Sequence, residues 1–337
     1  MSAAIPGGST RKTPQESLRS SWGLTVCAMS NDYQAAALFD LSDHGKIELA
    51  GPDARIFLHN LCTQDVKDLP VGSCCEAFLT TTKARVVAHV WITHRETNVL
   101  WLDMVAGQSA KVLQHLNHFL ISENVELNDR TEEFGMLRLV GPKAGELLAQ
   151  LAITPTRRHR LLALDGYDLF LPTAEIDAQR QRLIDAGATL GSSQTYQTLR
   201  VEAGLPEFGI DIDENRLAME VNRTAEAICY TKGCFLGQET IVMARDRGQV
   251  NRLLMGVKVA DGVPLAAGTK LFRNGEEVGQ VTSSVLSPRL GHVVALAYLR
   301  RGSSDAGTEV VIEPTTDGRT GIVSTLPFCG GAFSTLP

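Results

Sequence analysis

Leu49-Ala50-Gly51-Pro52-Asp53-Ala54 is echoed further along the chain by Leu139-Val140-Gly141-Pro142-Lys143-Ala144. In both copies an apolar strand end runs into Gly-Pro and then into a helical pattern. Proline suits a first helical turn, where its absent N–H would have had no partner. The apolar positions match as well. Ala54, Phe57, Leu58 and Leu61 follow helical spacing in the first copy, and Leu147, Leu148 and Leu151 in the second. Two copies of strand, Gly-Pro and helix predict two related α+β units.

The flanking segments extend each unit. Lys46–Ala50, Val86–Ile92 and Val99–Met104 read as strands, the last two joined by the polar turn Thr93–Asn98. A helix is expected from Ser109 to Leu120, with Val112, Leu113, Leu116, Phe119 and Leu120 on one face. In the second unit a strand at Tyr167–Leu171 precedes a helix near Ile176–Ala186, which Gly187 can end. The elements fit a split β-α-β pattern of the ferredoxin-like kind.

From Leu253 onward the pattern changes to short β-like segments separated by Gly, Pro, Asn and Asp. Asn274-Gly275 is a strong hairpin signal, because both residues accept positive φ. This part reads as a small antiparallel barrel. The stretch 196–252 links it to the α/β part.

Composition narrows the function classes. The chain has 337 residues, 44% hydrophobic and 21% charged, an ordinary globular mix with length for more than one core. A net charge of -6 argues against a generic phosphate-backbone binder. The longest apolar runs fall short of a membrane span. Seven cysteines without regular spacing or a CxxC do not form a disulfide framework or a zinc ribbon, and suit a reducing compartment. Residues 1–30 are Ser/Gly/Pro/Thr-rich with one acid, Glu16, and are expected to be a disordered extension. Met29 begins the plausible domain. The expected location is the cytoplasm, or an organellar matrix if that extension is a transit peptide.

Two stretches carry the chemistry. Thr231-Lys232-Gly233-Cys234-Phe235-Leu236-Gly237-Gln238-Glu239-Thr240 brackets one thiol between glycines. An adjacent ammonium favours thiolate, so Lys232 is read as the partner that activates Cys234. The alternative is an inert buried thiol. Four carboxylates, Asp211, Asp213, Glu214 and Glu220, crowd a second stretch without the ligand spacing of an EF-hand. His115 and His118 make a possible metal pair on a helix, with a solvated face as the alternative.

Leu199-Arg200-Val201-Glu202-Ala203-Gly204-Leu205-Pro206, then Phe208-Gly209-Ile210-Asp211-Ile212-Asp213-Glu214-Asn215 and Glu220, resembles the central motif of the folate-binding superfamily. That superfamily includes the aminomethyltransferase (T protein) of the glycine cleavage system. Lys232-Gly233-Cys234-Phe235-Leu236-Gly237-Gln238-Glu239 is similar to the signature of its YgfZ branch. The resemblance covers about residues 36–328. It implies an α+β, three-domain cloverleaf around a central channel that binds tetrahydrofolate. It implies a folate-binding α+β domain at 31–130 with 196–250, a second ferredoxin-like domain at 131–195, a C-terminal β-barrel at 251–328 and a tail at 329–337.

By the same resemblance Glu220 anchors the pterin, since a carboxylate accepts two parallel N–H bonds from a 2-amino-4-oxopyrimidine edge. Arg200 and Glu202 line or organise the channel, with an internal ion pair as the alternative. Phe208 stands where aminomethyltransferases carry a tyrosine. Arg245, with Arg247 and Arg252, can hold the glutamyl tail or form a charged surface. The family's Gly-Gly-Ile-hydrophobic-Asp-Asp stretch matches Ala84-Arg85-Val86-Val87-Ala88-His89, so both aspartate positions are lost. A positioned carboxylate manages the proton and the developing charge in aminomethyl transfer. The resemblance to the YgfZ branch implies a tetrahydrofolate-binding protein that supports iron–sulfur cluster assembly or repair, including that of tRNA-modifying enzymes. Its expected partners are folate and iron–sulfur enzymes or cluster-assembly proteins, with neither membrane nor direct nucleic-acid binding. The alternatives are a folate-dependent aminomethyltransferase and a non-catalytic interaction module.

Overall fold

A computed structural model describes residues 35–247, 250–260, 262–313 and 318–329. The expected extension at 1–30, with Cys27 and Met29, and residues 330–337 of the expected tail lie outside them.

The first sheet contains β2 (Gly45–Ala50), β3 (Cys74–Thr80), β4 (Val86–Glu96), β5 (Val99–Met104) and β6 (Glu126–Asp129), in the order β3-β4-β5-β2-β6. Every neighbouring pair is antiparallel. The helices α1 (Ala54–Leu61) and α2 (Ser109–Phe119) cover one face and bury Phe57, Leu58, Val112 and Leu116 against Ile47, Leu49, Ala88 and Val90.

The second sheet holds β1 (Ala37–Asp40), β7 (Phe134–Val140), β8 (Arg157–His159), β9 (Gly166–Pro172) and β10 (Thr189–Leu190), ordered β10-β1-β7-β9-β8. Its outer face is covered by α3 (Ala144–Gln150) and α4 (Thr173–Asp185). The two units exchange chain here, because β1 precedes the first sheet yet pairs with β7 of the second.

The repeated Gly-Pro turns occupy equivalent places. Gly51 and Gly141 adopt φ of 139° and 128° at the strand-to-helix turns after β2 and β7. A side chain at Gly51 would lie 2.1 Å from the Asn124 carbonyl oxygen, and one at Gly141 would lie 2.8 Å from that of Ala35. Both turns require the backbone to approach a neighbour closely, which only glycine allows.

The sheets face each other across a core of Trp91 and Trp101 from the first and Phe39, Met136 and Phe170 from the second. A buried ion network spans this core. Arg157 of β8 donates to both carboxylate oxygens of Asp103 on β5, at 2.7 and 2.9 Å, and also to Asp168 on β9. Arg138 of β7 makes a bidentate pair with the same Asp168, at 2.7 and 3.0 Å. Two arginines balance two aspartates, as a water-free interior requires. His159 completes the set at 3.1 Å from Asp168, and burial lowers its pKa to about 4.

The barrel closes as β11 (Arg252–Val259), β14 (His292–Arg300), β13 (Glu276–Ser287), β12 (Lys270–Arg273), β15 (Glu309–Ile312) and β16 (Thr320–Ser324). Asn274 and Gly275 join β12 to β13 with φ of 53° and 82°, the two positive values a type I′ turn needs. Leu326 and Phe328 pack with Val201, Leu254 and Tyr298 on the outside of the barrel.

Helix α5 (Ser193–Ala203) joins the parts. The Ser192 side chain caps its start by accepting from the Thr195 N–H at 3.1 Å. Gly204 ends it in the left-handed region at φ 68°. Leu199 enters the core between the sheets, while Val201 faces the barrel.

Candidate ligand site and the cysteine loop

The carboxylates crowded into residues 211–220 do four different things. Asp211 is buried and accepts from Arg200, from Ser283 at 2.7 Å, from Thr282, and from the Glu207 N–H at 3.0 Å. Arg200 also donates to the Leu205 carbonyl at 2.9 Å and to Ser283 at 2.9 Å. Glu202 accepts from Ser287 and lies 3.3 Å from Arg289, and burial pushes its carboxyl up. Arg200 and Glu202 therefore fasten α5 to the barrel. Asp213 caps a turn through the Asn215 N–H at 2.7 Å. Glu214 lies 2.6 Å from Lys111 of α2. No group of three or more His, Cys, Asp and Glu side chains among the described residues could hold a metal ion, so His115 and His118 stay a pair.

Glu220 is the exception in the stretch. It sits on a 3-10 turn, Ala218–Val221, in which it is 9% exposed. One carboxylate oxygen accepts from the Leu217 N–H at 3.2 Å. No ion pair engages the group among the described residues. The turn is fixed at both ends. The Ala218 N–H donates to the Ala84 carbonyl at 3.0 Å, and Asn222 donates to the Leu254 carbonyl of β11 at 3.0 Å. Glu220 is thus a shielded carboxylate with acceptor capacity to spare, held between the first sheet and the barrel.

A cleft of about 630 Å³ opens beside this segment, between α2 and the residues 81–87 that lead into β4. Arg85, Lys111, His115, His118 and Glu214 line it with Phe119. Lys111 lies 4.9 Å from the centre of the Phe208 ring, which places Phe208 near its rim. Neither Glu220 nor Cys234 lines this cleft.

The cysteine loop has an arrangement that the sequence did not give. Lys232 is buried, and its ammonium donates to the carbonyls of His59 at 2.5 Å, Cys62 at 2.9 Å and Gln64 at 2.8 Å. It caps the C-terminal end of α1, where carbonyls have no helical partners. Desolvation lowers its pKa, and acidic groups nearby, Asp65 among them, oppose that shift. Lys232 is expected as the activating partner of Cys234; in the structure all three of its ammonium protons go to these backbone carbonyls.

Cys234 itself is free and exposed. The loop around it is pinned. Phe235 is buried against Phe78, Met219 and Val221. Leu236 accepts from Thr80 at 2.8 Å and donates to the Asn60 carbonyl at 2.9 Å. Gly237, at φ 86°, leaves no room for a side chain beside the Thr81 carbonyl. The outcome is a rigid support that presents one exposed thiol to solvent. Arg245 lies further along the helix Gln238–Arg247, paired with Asp246 at 2.7 Å and 5.1 Å from the Tyr230 ring centre. The side chain of Arg247 lies outside the described residues.

Comparison with known proteins decides the family. The family model described as "GCVT N-terminal domain" matches residues 28–161, and that described as "Glycine cleavage T-protein C-terminal barrel domain" matches residues 252–329. The aminomethyltransferase of Rubrobacter xylanophilus is 31% identical over 302 residues, covering 82% of this chain and 79% of that protein. The chain belongs to the glycine cleavage T-protein family. A second aminomethyltransferase, from Symbiobacterium thermophilum, is 30% identical over 311 residues, covering 83% of the chain and 82% of that protein. The crystal structure of glycine cleavage system aminomethyltransferase T from Bartonella henselae shares the fold, with a TM-score of 0.82, 24% identity and coverage of 88% and 87%.

Within this glycine cleavage T-protein fold, the two positions that resemblance assigns to aspartates face opposite ways. Ala88 lies 1% exposed in the apolar core under α1 and α2. His89 faces the other side of β4, stacked between Phe78 and Trp91. Its Nε2 is 2.7 Å from Glu76, whose carboxylate also makes a bidentate pair with Arg223. Burial would raise the Glu76 carboxyl, but Arg223 and His89 outweigh it and hold the group at about 2. This Glu76–His89–Arg223 set escaped sequence reading because its members lie far apart in the chain. The 13-residue gap between Glu76 and His89 becomes readable only once β3 and β4 are paired with Phe78 opposite His89.

Proposed function

We propose that this protein binds tetrahydrofolate through Glu220, as a YgfZ-type member of the family, and supports iron–sulfur cluster assembly or repair, including that of tRNA-modifying enzymes. The observation that carries the departure from aminomethyl transfer is the pair Ala88 and His89. One faces an apolar core and the other is tied to a buried, salt-bridged Glu76. Neither offers the free carboxylate that would take a proton and balance a developing cation. What the site keeps is a shielded acceptor at Glu220 and an exposed, rigidly held thiol at Cys234.

In this reading the pterin donates its N–H edge to Glu220, Arg245 meets the glutamyl tail, and Cys234 acts at the surface on a client protein or its cluster. Arg200 and Glu202 contribute by fixing α5 against the barrel, and Phe208 by bordering the cleft. The test is complementation of a strain lacking its own protein of this type, read as the activity of an iron–sulfur tRNA-modifying enzyme. Wild type restores it and Cys234→Ala does not. Equal rescue by both would instead favour a plain interaction module.

A second reading, a folate-dependent aminomethyltransferase, is favoured by the names of the relatives at 31% and 30% identity. Methylenetetrahydrofolate formation from an aminomethyl-lipoyl donor decides between them. Turnover that survives Cys234→Ser would establish the transferase.

A further inference from the structure

The 630 Å³ cleft beside α2 is a cavity whose walls include neither Glu220 nor Cys234. One wall is Val87, which belongs to the core under α1 and α2, so the cleft opens on the helix side of the first sheet, away from His89. Its volume falls within the range of small-molecule sites, about 300–1,000 Å³. Arg85, Lys111, His115 and His118 line it with one acid, Glu214, in a chain of net charge -6. The Phe119 ring fixes both imidazoles edge to face, its centre 5.3 Å from that of His115 and 4.9 Å from that of His118. One N–H of Arg85 is anchored on the Asn215 carbonyl at 2.7 Å, which leaves its other donors for a ligand. Lys111 already holds an oxyanion. The Glu214 carboxylate lies 2.6 Å from its ammonium, and that side chain is 70% exposed. Glu214 thus stands where a ligand oxygen would stand and is free to leave. Burial lowers the His115 pKa, and His118 and Lys111 add to the shift. Like charges crowd the cleft, and a bound anion relieves them.

We propose that this cleft binds a small phosphate monoester with an apolar body, its phosphate on Lys111 and Arg85 and its body against Phe119 and Val87. The donors favour phosphate over carboxylate. Thr82 and Gln114 also line the cleft and add neutral donors to the two fixed cations. A monoester brings close to two negative charges and three acceptor oxygens, enough for all four groups, whereas a carboxylate brings one charge and two oxygens. As the phosphate takes over Lys111, the Glu214 carboxylate turns out to solvent. The site does not rest on the folate reading of Glu220. Phe208, near the rim, is the one residue that reading shares with it, so competition between the two ligands is part of the test.

Histidine ring resonances of the intact protein report the site, with those of His115 and His118 assigned from His115→Gln and His118→Gln. Phenyl phosphate is titrated at neutral pH into wild type, Lys111→Gln and Glu214→Gln, with phenylacetate and benzyl alcohol as the monoanionic and neutral probes. We expect phenyl phosphate to move the His115 and His118 signals saturably. Binding should be about tenfold weaker in Lys111→Gln, which loses a hydrogen bond to a charged group at a part-exposed site. Glu214→Gln should bind about two- to fivefold more tightly, because the competing carboxylate is gone. A merely structural ion pair would not give opposite signs at its two ends. Equal binding of phenylacetate would overturn the choice of phosphate, and equal binding of benzyl alcohol would overturn an anion site of any kind. No saturable shift, or one affinity shared by all three proteins, would do the same. Tetrahydrofolate is expected to leave bound phenyl phosphate in place. Displacement by tetrahydrofolate would make the cleft part of the folate site and overturn a separate one.

Discussion

The ammonium of Lys232 lies 2.5 Å from the carbonyl oxygen of His59, two residues before the end of α1. The bond makes Lys232 part of the scaffold beneath the cysteine loop. Lys232→Met leaves three carbonyls without their shared donor, and a hydrogen bond to a charged group contributes about 1.5–3 kcal/mol net of exchange with water. We expect a loss of roughly 2–4 kcal/mol in urea unfolding, with Cys234 alkylation rates at fixed pH unchanged in the folded state. A stable variant with a slowed thiol would restore Lys232 as the activator.

Ala88→Asp tests the family position directly. The new carboxylate would enter the core beside Ile47, Leu49 and Leu58 with no partner. We expect destabilisation of several kcal/mol, on the order expected for an unpaired buried charge, and no aminomethyl transfer. A folded, active Ala88→Asp protein would show that the position opens to the ligand.

Asp103→Asn tests the network between the sheets. It halves the compensation of the Arg157 guanidinium, which is buried with both aspartates. Breaking one side of such a buried pair costs about 3–5 kcal/mol. Denaturant unfolding should show a loss of that order, and a change below about 1 kcal/mol would place the network's energy elsewhere.

His159 gives the network a pH signature. Its pKa is lowered from 6.5 to about 4 in the folded chain, so between those values only the unfolded chain takes the proton. Stability is therefore lost as pH falls from 6.5 toward 4, and this contribution levels off below. The slope approaches about 1.4 kcal/mol per pH unit for one proton. His159→Gln should flatten the stability curve in that window relative to wild type. Parallel curves would remove His159 as the source.

The fold was legible where local rules act alone. The Gly-Pro echo marked two equivalent strand-to-helix turns because both need positive φ at glycine, and Asn274-Gly275 marked its hairpin for the same reason. The strand Val99–Met104 came out as read, and the helix from Ser109 within one residue of its end. Relations between distant segments were not legible. Nothing local in Ala37–Asp40 says that it pairs with β7, and nothing in Arg157 says that it meets Asp103 across two sheets. At the site, the spacing of Lys232 and Cys234 suggested a charge effect, but side-chain direction decided it, and that direction was set by the end of α1. Exposure of Cys234 and shielding of Glu220 likewise follow from packing against β3 and β11.

The most direct measurement is calorimetric titration of the intact protein with tetrahydrofolate, wild type beside Glu220→Ala. A carboxylate that accepts two N–H bonds contributes roughly 2–3 kcal/mol, or about 30- to 150-fold in Kd. The account predicts saturable one-to-one binding by wild type, weakened by that factor in a folded Glu220→Ala protein. Equal affinity in the two proteins, or no binding by wild type, would contradict it.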